Sequence, residues 1–391
     1  MISAAIRPLS SLHSLAVAVL VALAAMDSYA ASVETSAREA ILIDATTGAV
    51  LLEKNADERM PTASMSKVMT IYMVFERLKN GTLSLDDSFR VSERAWRRGG
   101  ASSGGSTMFL KLGDKVRVED LIRGIIVQSG NDASIVIAEG LAGSEEAFAE
   151  QMTRRGREIG LRNSNFANAS GLPDPNHYMT ARDLATLAKR TIDDFPDYYR
   201  YYAEVTYVYG GIRQTNRNPL VYKDLGVDGL KTGHTEEAGF GLTASAARSG
   251  RRLILVVNGL PSRQARASET ERLIDWGFRE FNNYALFKGG ETVSEAEVWL
   301  GQSPKVSLVV EKDLVVTLPR KARTDMKVVV AIQAPVPAPI NKGTAVAKLV
   351  VKVPGETPIE VPLVAGADVE RLGFVGRIAA ALKHILWGDS S

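Results

Sequence analysis

The pattern of apolar residues changes once along the chain, after Phe281. Between residues 31 and 284, helical patterns alternate with strand-like runs, and two of these runs, GLTASAAR and LILVVNG, flank a short turn typical of an antiparallel hairpin. Residues 285–367 contain only short β-type runs separated by proline, glycine and charged residues, a pattern typical of a small sandwich. The sequence therefore predicts an α+β (α/β) domain, with an antiparallel sheet flanked by helices, and then an all-β sandwich domain.

The ends of four helices can be predicted in the first domain. The first helix opens at Pro61-Thr62 and stops at Asn80-Gly81, after basic residues that suit the negative end of a helix. Apolar spacing predicts two more helices, at about 118–127 and 132–141. Thr180 is predicted to cap a fourth helix, because a threonine followed three residues later by an acidic residue can satisfy free backbone N–H groups.

The first thirty residues have the pattern of an export signal. Arg7 supplies positive charge, an apolar run of twelve residues follows it, and Ser28-Tyr29-Ala30 offers the small residues that a signal peptidase reads. The apolar run is shorter than the roughly 20 residues that cross a bilayer. Residues 1–30 are therefore predicted to be a cleaved signal peptide and the protein to be exported. The alternative is a buried N-terminal helix.

The last segment, residues 368–391, is predicted to form an amphipathic helix that anchors the protein to a membrane surface. Most of its apolar side chains lie on one side of the helix, and Arg377 and Lys383 interrupt the apolar run, which prevents a transmembrane span. Trp387 suits the interface between lipid and water. The alternative is that this helix packs its apolar face against the β-rich domain.

Composition excludes several classes of protein. The chain has no cysteine, so it has no disulfide, no cysteine nucleophile and no cysteine-ligated zinc or iron–sulfur cluster. Its four histidines form no recognisable metal-binding motif, and no metal or other cofactor is predicted. The net charge is only +2, whereas a nucleic-acid-binding protein uses an excess of basic residues to neutralise phosphates.

The first of three short motifs is Ser64-Met-Ser-Lys67, at the start of the first predicted helix. Residues three apart on a helix share one face, so the lysine can act as a base for the serine hydroxyl if its pKa is lowered by burial. The free N–H groups of a helix N-terminus, including that of Ser64, can bind an oxyanion. The alternative is a helix-capping serine beside a solvated lysine.

The second motif, Ser129-Gly-Asn131, lies between two predicted helices. In a catalytic interpretation, Ser129 relays protons to a leaving group and Asn131 holds an amide of the substrate. Alternatively, Asn131 simply caps the helix that follows it, which is a common role of asparagine.

The third motif, Lys231-Thr232-Gly233, is predicted to lie on a strand at the edge of the sheet. Lys231 supplies positive charge, Thr232 a hydroxyl, and Gly233 close backbone access for a substrate paired as an added strand. His234 follows directly, and its backbone N–H is a candidate second oxyanion donor. Its side chain is predicted to bind or position the substrate rather than to act as a base.

Together these motifs resemble the signature of serine-type D-alanyl-D-alanine carboxypeptidases, the low-molecular-mass penicillin-binding proteins. The resemblance extends over the mature chain through the strings TASMSKVMT, MFLKLGDKV, VQSGNDAS, FANASGLPD, VDGLKTGHTEEAGF and SETERLIDWGF. It implies a β-lactamase/transpeptidase-like catalytic domain, with Ser64 as nucleophile, Lys67 as proton acceptor and Ser129 as the second active-site serine. Arg266 resembles the arginine that recognises the terminal carboxylate, with Arg263 and Arg248 as alternatives.

The resemblance implies an enzyme on the periplasmic face of the inner membrane that removes the terminal D-alanine from peptidoglycan pentapeptides and is acylated by β-lactams. No glutamate in the pattern E-x-x-L-N follows the second motif, and Glu158 is interpreted as a surface charge. A penicillin adduct is therefore expected to persist. The alternatives are an endopeptidase that cuts crosslinked peptidoglycan and a non-catalytic sensor or scaffold that binds β-lactams.

Overall fold

The computed structural model describes residues 33–333 and 335–378. The predicted signal peptide, residues 1–30, lies outside the described residues. Eight helices between residues 67 and 280 follow one another as α1 Lys67–Lys79, α2 Glu93–Gly99, α3 Val118–Ile126, α4 Asn131–Ala142, α5 Glu145–Glu158, α6 Ala181–Asp194, α7 Pro196–Tyr199 and α8 Arg263–Glu280. Short 3₁₀ segments lie at Ala63–Ser66, Ala101–Ser103, Arg200–Ala203, Pro219–Tyr222 and Arg320–Asp325.

The first domain is built on a five-stranded antiparallel sheet. Its strands are β1 Glu39–Asp44, β2 Val50–Lys54, β7 Val227–Thr235, β8 Gly239–Arg248 and β9 Arg251–Leu260, and their order is β2-β1-β9-β8-β7. Two small antiparallel pairs, β3 Ser88–Arg90 with β4 Lys115–Arg117 and β5 Thr206–Tyr209 with β6 Ile212–Thr215, lie apart from it. The predicted hairpin is β8 and β9, and β7 is an edge strand, as expected from the third motif.

Both faces of this sheet are buried, because apolar side chains in the strands alternate between two cores. Ile41 and Ile254 belong to the core that contains α1, α3, α4 and α6, whereas Leu42 and Leu255 belong to the core that contains α8. Adjacent strand residues point to opposite faces, so a strand buried on both sides supplies apolar residues to both. This arrangement confirms the prediction of a sheet flanked by helices.

The second domain is all-β, as predicted. Strands β10 Phe281–Phe287 and β13 Leu314–Pro319 form one pair. A six-stranded sheet has the order β14-β16-β17-β12-β11-β15, with strands at Thr292–Trp299 (β11), Lys305–Val309 (β12), Lys327–Ile332 (β14), Val336–Pro337 (β15), Ala345–Lys352 (β16) and Ile359–Ala365 (β17). Because β10 begins directly after α8, it runs across the domain boundary expected between residues 284 and 285.

The prediction of a helix from residue 368 onward is wrong for its first turn. Val369 exchanges backbone hydrogen bonds with Ile340, at 2.8 and 2.9 Å, and its side chain is buried in the core of the β-domain. Arg371 forms an isolated bridge with Gly301. Pairing with the β-domain therefore keeps this segment extended, and helical structure begins at Phe374.

Residues 379–391, which carry the rest of the predicted amphipathic helix, lie outside the described residues. The exposed side chains of Phe374, Val375 and Ile378 precede them. Within residues 33–333 and 335–378, no helix combines the length and the apolar character that crossing a bilayer requires.

Candidate active site

A cavity of about 620 Å³ lies between β7 and the helical part of the first domain. Seven of the nine predicted site residues line it: Ser64, Ser129, Asn131, Thr232, Gly233, His234 and Arg266. The other two, Lys67 and Lys231, are buried and donate hydrogen bonds to Ser64 and Ser129. The fold therefore brings together residues from three motifs that are far apart in sequence.

Ser64 lies on the 3₁₀ turn Ala63–Ser66, which precedes α1, so the predicted helix opens with a tighter turn. Ala63 has a positive φ of 46°, an unusual conformation for a residue with a side chain. Gly171 packs against this turn so closely that a Cβ there would lie 2.0 Å from the carbonyl oxygen of Ala63. Only glycine fits at position 171, and this contact fixes the turn that presents Ser64 to the cavity.

Lys67 is fully buried in the first turn of α1, and its Nζ points to Ser64. Nζ donates to Ser64 Oγ at 2.7 Å, to Asn131 Oδ1 at 2.8 Å and to the carbonyl oxygen of Ser170. Lys67 is buried rather than solvated, so the alternative interpretation of the first motif, a capping serine beside a solvated lysine, is wrong. The lysine occupies the position that a base for the Ser64 hydroxyl requires.

The environment of Lys67 favours the neutral amine. Burial is the main cause and the positive charge of Arg217 adds to it, so that the pKa of Lys67 falls from its ordinary value to about 7. The carboxylates of Asp132 and Glu145 act in the opposite direction. A substantial fraction of Lys67 is therefore unprotonated at neutral pH and can accept a proton.

Ser129 and Lys231 form a second hydroxyl–amine pair on the other side of the cavity. Lys231 Nζ donates to Ser129 Oγ at 2.9 Å and to the carbonyl oxygen of Thr232 at 3.1 Å. Burial, together with the positive charges of Lys67, Arg217 and Arg266, lowers the pKa of Lys231 well below its usual range. The backbone of Ser129 has a positive φ of 67°, a conformation that residues other than glycine rarely adopt.

The side chain of Asn131 does not cap α4. The helix begins at Asn131 without a side-chain cap, and Asn131 Oδ1 accepts the hydrogen bond from Lys67 instead. The amide of Asn131 therefore lies next to both motifs, with its NH₂ group on the side of Gly105. The interpretation of Asn131 as a helix cap is wrong.

Asp132 positions the neighbouring motif, a role that was not expected from the sequence. Its fully buried carboxylate accepts from Thr107 Oγ1 at 2.6 Å and from the backbone N–H groups of Met108 and Leu110 at 3.0 and 3.2 Å. A buried carboxylate with several donors fixes the backbone around it. Asp132 thus ties the segment 107–110 to the start of α4, next to Ser129 and Asn131.

Gly233 is required by packing as well as by access to the strand. A Cβ at Gly233 would lie 2.5 Å from the carbonyl oxygen of Thr62, because β7 packs against the turn that carries Ser64. The exposed ring of His234 stacks on Phe240 with 3.8 Å between ring centroids. Loss of part of its hydration at the cavity wall and the charges of Arg263 and Arg266 lower the pKa of His234, which favours the neutral ring at neutral pH.

Three arginines, Arg217, Arg263 and Arg266, line one part of the cavity. Within the described residues, no carboxylate lies within ion-pairing distance of any of them, whereas Arg248, the other candidate, pairs with Asp275 at 2.7 Å. Burial, with the charges of Arg263 and Arg217, lowers the pKa of Arg266 to about 10. Arg266 is buried, whereas Arg217 and Arg263 are exposed at the cavity. A buried cation without a partner is costly, which makes the cluster around Arg266 suitable for an anionic group.

Sequence reasoning missed Arg217, because it lies outside the three motifs and only the fold brings it to the cavity. Ser170 also lies outside the three motifs and was not expected at the site; its backbone carbonyl accepts a hydrogen bond from Lys67. The glycine- and serine-rich segment 98–106 borders the cavity through Gly104, Gly105 and Ser106. Glu158 is exposed and pairs with Arg155 at 2.8 Å, as expected of a surface charge.

Two family profiles match the chain. The profile described as D-alanyl-D-alanine carboxypeptidase matches residues 25–262, and the profile of the penicillin-binding protein 5 C-terminal domain matches residues 281–371. The D-alanyl-D-alanine carboxypeptidase DacC of Escherichia coli is 40% identical over 345 residues, which cover 88% of this chain and 86% of that protein. The similarity therefore extends over both domains.

Solved structures show the same relationship. Penicillin-binding protein 5 from Haemophilus influenzae is 37% identical, with a TM-score of 0.79 over 87% of this chain and 99% of that chain. Penicillin-binding protein D2 from Listeria monocytogenes, solved in its ampicillin-bound form, is 29% identical, with a TM-score of 0.55 over 63% of this chain and 99% of that chain. With its serine–lysine pairs, its sheet and its all-β second domain, the chain belongs to the D-alanyl-D-alanine carboxypeptidase family.

Proposed function

We propose that this protein removes the terminal D-alanine from peptidoglycan pentapeptides through an acyl-enzyme on Ser64. The observation that carries the proposal is the arrangement of the cavity: a serine bonded to a buried lysine of low pKa, and a cluster of unpaired arginines that fits a terminal carboxylate. Its relative from E. coli is named a D-alanyl-D-alanine carboxypeptidase. A peptide that ends in D-alanyl-D-alanine has the carboxylate and the scissile amide that this arrangement requires.

In the acylation step, Ser64 Oγ attacks the carbonyl carbon of the penultimate D-alanine. Its proton passes to the neutral amine of Lys67, which lies 2.7 Å away. The carbonyl oxygen becomes an oxyanion and accepts hydrogen bonds from the backbone N–H groups of Ser64 and His234. One such donor contributes about 10²–10³-fold to the rate of an acyl transfer.

Within the described residues, β7 pairs with β8 on one side alone, and the substrate lies along its other edge. An extended peptide can add there as a strand, with Thr232 and Gly233 opposite its backbone. Asn131 binds a substrate amide from the other side, because its Oδ1 is held by Lys67 and its NH₂ group remains available. The terminal carboxylate binds Arg266, with Arg217 and Arg263 beside it.

Collapse of the tetrahedral intermediate breaks the C–N bond and releases D-alanine. The leaving amine needs a proton, which Ser129 donates while Lys231 stabilises its hydroxyl oxygen through the 2.9 Å hydrogen bond. Ser129 recovers a proton from the protonated Lys67 through the polar groups that line the cavity. Lys67 is thereby returned to its neutral form, ready for the second step.

Hydrolysis of the acyl-enzyme requires a base for the attacking water. Among the described residues that line the cavity, none is an aspartate or a glutamate, so Lys67 is the group that activates the water. Water then replaces Ser64 on the acyl carbon, and the serine recovers its proton. A β-lactam forms the same ester on Ser64, but its amine stays attached to the acyl group after the ring opens, whereas D-alanine leaves. The β-lactam adduct therefore persists, and the cavity offers no carboxylate as a second base to speed its hydrolysis.

The placement of the enzyme in the cell rests on the two ends of the sequence. Residues 1–30 act as a cleaved signal peptide. The catalytic domain then extends through α8, and the all-β domain begins with β10 and includes Val369. Residues from about 374 onward tether the protein peripherally to the periplasmic face of the inner membrane, supported by the exposed apolar side chains of Phe374, Val375 and Ile378.

The proposal is tested by incubating the purified protein with a monomeric pentapeptide muropeptide and a crosslinked dimer, and following product masses. Loss of one alanine from the monomer, with release of free D-alanine, supports the carboxypeptidase. Splitting of the dimer without release of alanine from the monomer would identify an endopeptidase instead. Penicillin labelling with no turnover of either substrate would identify a sensor.

A further inference from the structure

Glu145 is a buried carboxylate at the start of α5, and it is not among the described residues that line the catalytic cavity. Its Oε2 lies 3.4 Å from Arg94 Nη2 and 3.8 Å from Arg98 Nη1, both on α2. Its other oxygen, Oε1, accepts from the backbone N–H of Ala169 at 3.2 Å. Glu145 therefore connects α2 with the backbone that leads into Ser170.

The backbone around Ala169 contacts the buried amine of Lys67. The carbonyl oxygen of Ser170, the next residue, accepts a hydrogen bond from Lys67 Nζ. Ala169 is held from two sides, because its carbonyl oxygen accepts from Thr70 Oγ1 at 2.7 Å and its N–H donates to Glu145. A hydrogen bond to a carboxylate is stronger than one between neutral groups, so Glu145 provides the stronger of these two contacts.

The arginine partners of Glu145 belong to a helix that also packs beside the catalytic residues. α2 ends at Gly99, where a Cβ would lie 2.3 Å from the backbone nitrogen of Asp132 in the first turn of α4. Breaking the contacts of a buried carboxylate is costly. The ion pairs of Glu145 therefore hold together two elements that both border the surroundings of Lys67.

The charges around Lys67 include Glu145. Burial and the positive charge of Arg217 lower the pKa of Lys67, whereas the carboxylates of Asp132 and Glu145 raise it. Glutamine in place of Glu145 can still accept from a backbone N–H, so the charge can be removed while that contact is kept. The titratable and charged groups that act on Lys67 or on which Lys67 acts are Asp132, Glu145, His177, Arg217 and Lys231.

We infer that Glu145 is a positioning residue for Lys67: its carboxylate fixes the backbone at Ala169 and so places the carbonyl that accepts from Lys67 Nζ. Its negative charge also stabilises the ammonium group that Lys67 carries after it has taken the proton of Ser64. This inference rests on the proposed function, because it takes Lys67 to be the base in acylation.

The test is Glu145→Gln, with acylation by a fluorescent penicillin measured from pH 5 to pH 9. Acylation needs the neutral amine of Lys67, so its rate rises with pH through the pKa of Lys67. A charge in contact with an amine shifts its pKa by about 1–3 units, and a charge farther away shifts it less. The midpoint of the profile should therefore fall by about half a pH unit in Glu145→Gln.

At pH 6, acylation relative to its plateau should then rise from about one tenth in the native protein to about one quarter in the variant. The plateau itself should fall, because a weaker base accepts the proton less readily. Glu145→Ala also removes the contact with Ala169, and its plateau should be about tenfold below that of Glu145→Gln. Arg94 keeps its ion pair with Glu146 in both variants, and Arg98 is exposed, so no buried cation is left without a partner.

Glu146→Gln is the matched control, because it removes the same charge from the next residue, which is exposed and pairs with the same Arg94. Its pH profile should coincide with the native one. An unshifted midpoint in Glu145→Gln, an equal shift in Glu146→Gln, equal plateaus in the two Glu145 variants or loss of their folded state by circular dichroism overturns the inference. A native protein whose acylation does not rise with pH instead refutes Lys67 as the base.

Discussion

Replacement of Lys67 by arginine tests the assignment of the catalytic base. Arginine keeps the positive charge and can donate to Ser64, Asn131 and the Ser170 carbonyl, the three acceptors of the native Nζ. Its guanidinium cannot lose a proton at any working pH, so it cannot accept one from Ser64. General-base catalysis contributes about 10²–10⁴-fold, and Lys67→Arg should slow acylation by that factor.

The pH dependence gives a second measure of the same base. The neutral amine is the reactive form, so acylation rises with pH until Lys67 is deprotonated and is constant above that. With a pKa of about 7, the rate constant at pH 6 should be about one tenth of its plateau, and at pH 5 about one hundredth. Lys67→Arg should lack this dependence on pH, because its side chain does not titrate in the range.

The assay is the second-order rate constant for acylation by a fluorescent penicillin between pH 5 and pH 9. Lys111→Arg, an exposed lysine on the surface of the same domain, is the matched control and should behave as the native protein does. Acylation by Lys67→Arg within tenfold of the native rate, with the same dependence on pH, would refute the assignment of Lys67 as the base.

Three further predictions concern other parts of the molecule. His234→Gln should keep acylation within about tenfold of the native rate, because the oxyanion donor is a backbone N–H and the ring stacks on Phe240; a penicillin-labelling rate as low as that of Ser64→Ala would make the imidazole a catalytic group. Burial lowers the pKa of His177 to about 4 in the folded protein, whereas its pKa in the unfolded chain is about 6.5. As the pH falls between these two values, the unfolded state binds a proton at His177 and the folded state does not, so the free energy of unfolding decreases. Denaturant unfolding should show a loss of about 3 kcal/mol over that range that His177→Asn lacks, and equal pH dependence in both proteins would contradict the reasoning. Truncation after Gly373 should keep pentapeptide hydrolysis and abolish sedimentation with anionic vesicles, and sedimentation of the truncated protein would place membrane binding elsewhere.

The sequence allowed a close prediction of the residues that meet at the candidate site, because the motifs combine residues that local spacing brings together. Ser64 and Lys67 are three residues apart and contact each other directly. The pairing of Lys231 with Ser129 joins two motifs across the cavity, and it could be inferred only from their combination. Local spacing alone predicts contacts within a helix, whereas contacts between motifs depend on the packing of the helices against β7.

Other parts of the site depend on packing that no local pattern records. Arg217 reaches the cavity from a segment outside the motifs, and its charge helps to lower the pKa of Lys67. Gly171 and Gly233 are needed because two backbone segments approach the turn at Ala63 from different sides. Close approach between distant segments leaves no periodic signal in the sequence, so these roles could be recognised only in the folded structure.

The C-terminal segment shows how tertiary pairing can override a local helical pattern. The apolar spacing from residue 368 onward favours a helix, yet the backbone of Val369 pairs with Ile340 and its side chain completes the core of the β-domain. Helix propensity is worth only tenths of a kcal/mol per residue, less than the burial of one valine side chain. The chain therefore remains extended until the β-domain is complete, and it turns helical at Phe374.

The most direct test of the account is the site of the covalent adduct. The protein is reacted with penicillin, digested, and the modified peptide is sequenced by mass spectrometry, with Ser64→Ala in parallel. The account predicts a single adduct on Ser64 in the native protein, none in the variant, and loss of D-alanine release in the variant. An adduct on Ser66, which donates to the Ala63 carbonyl at 3.1 Å, or on Ser129, or continued release of D-alanine by Ser64→Ala, would contradict it.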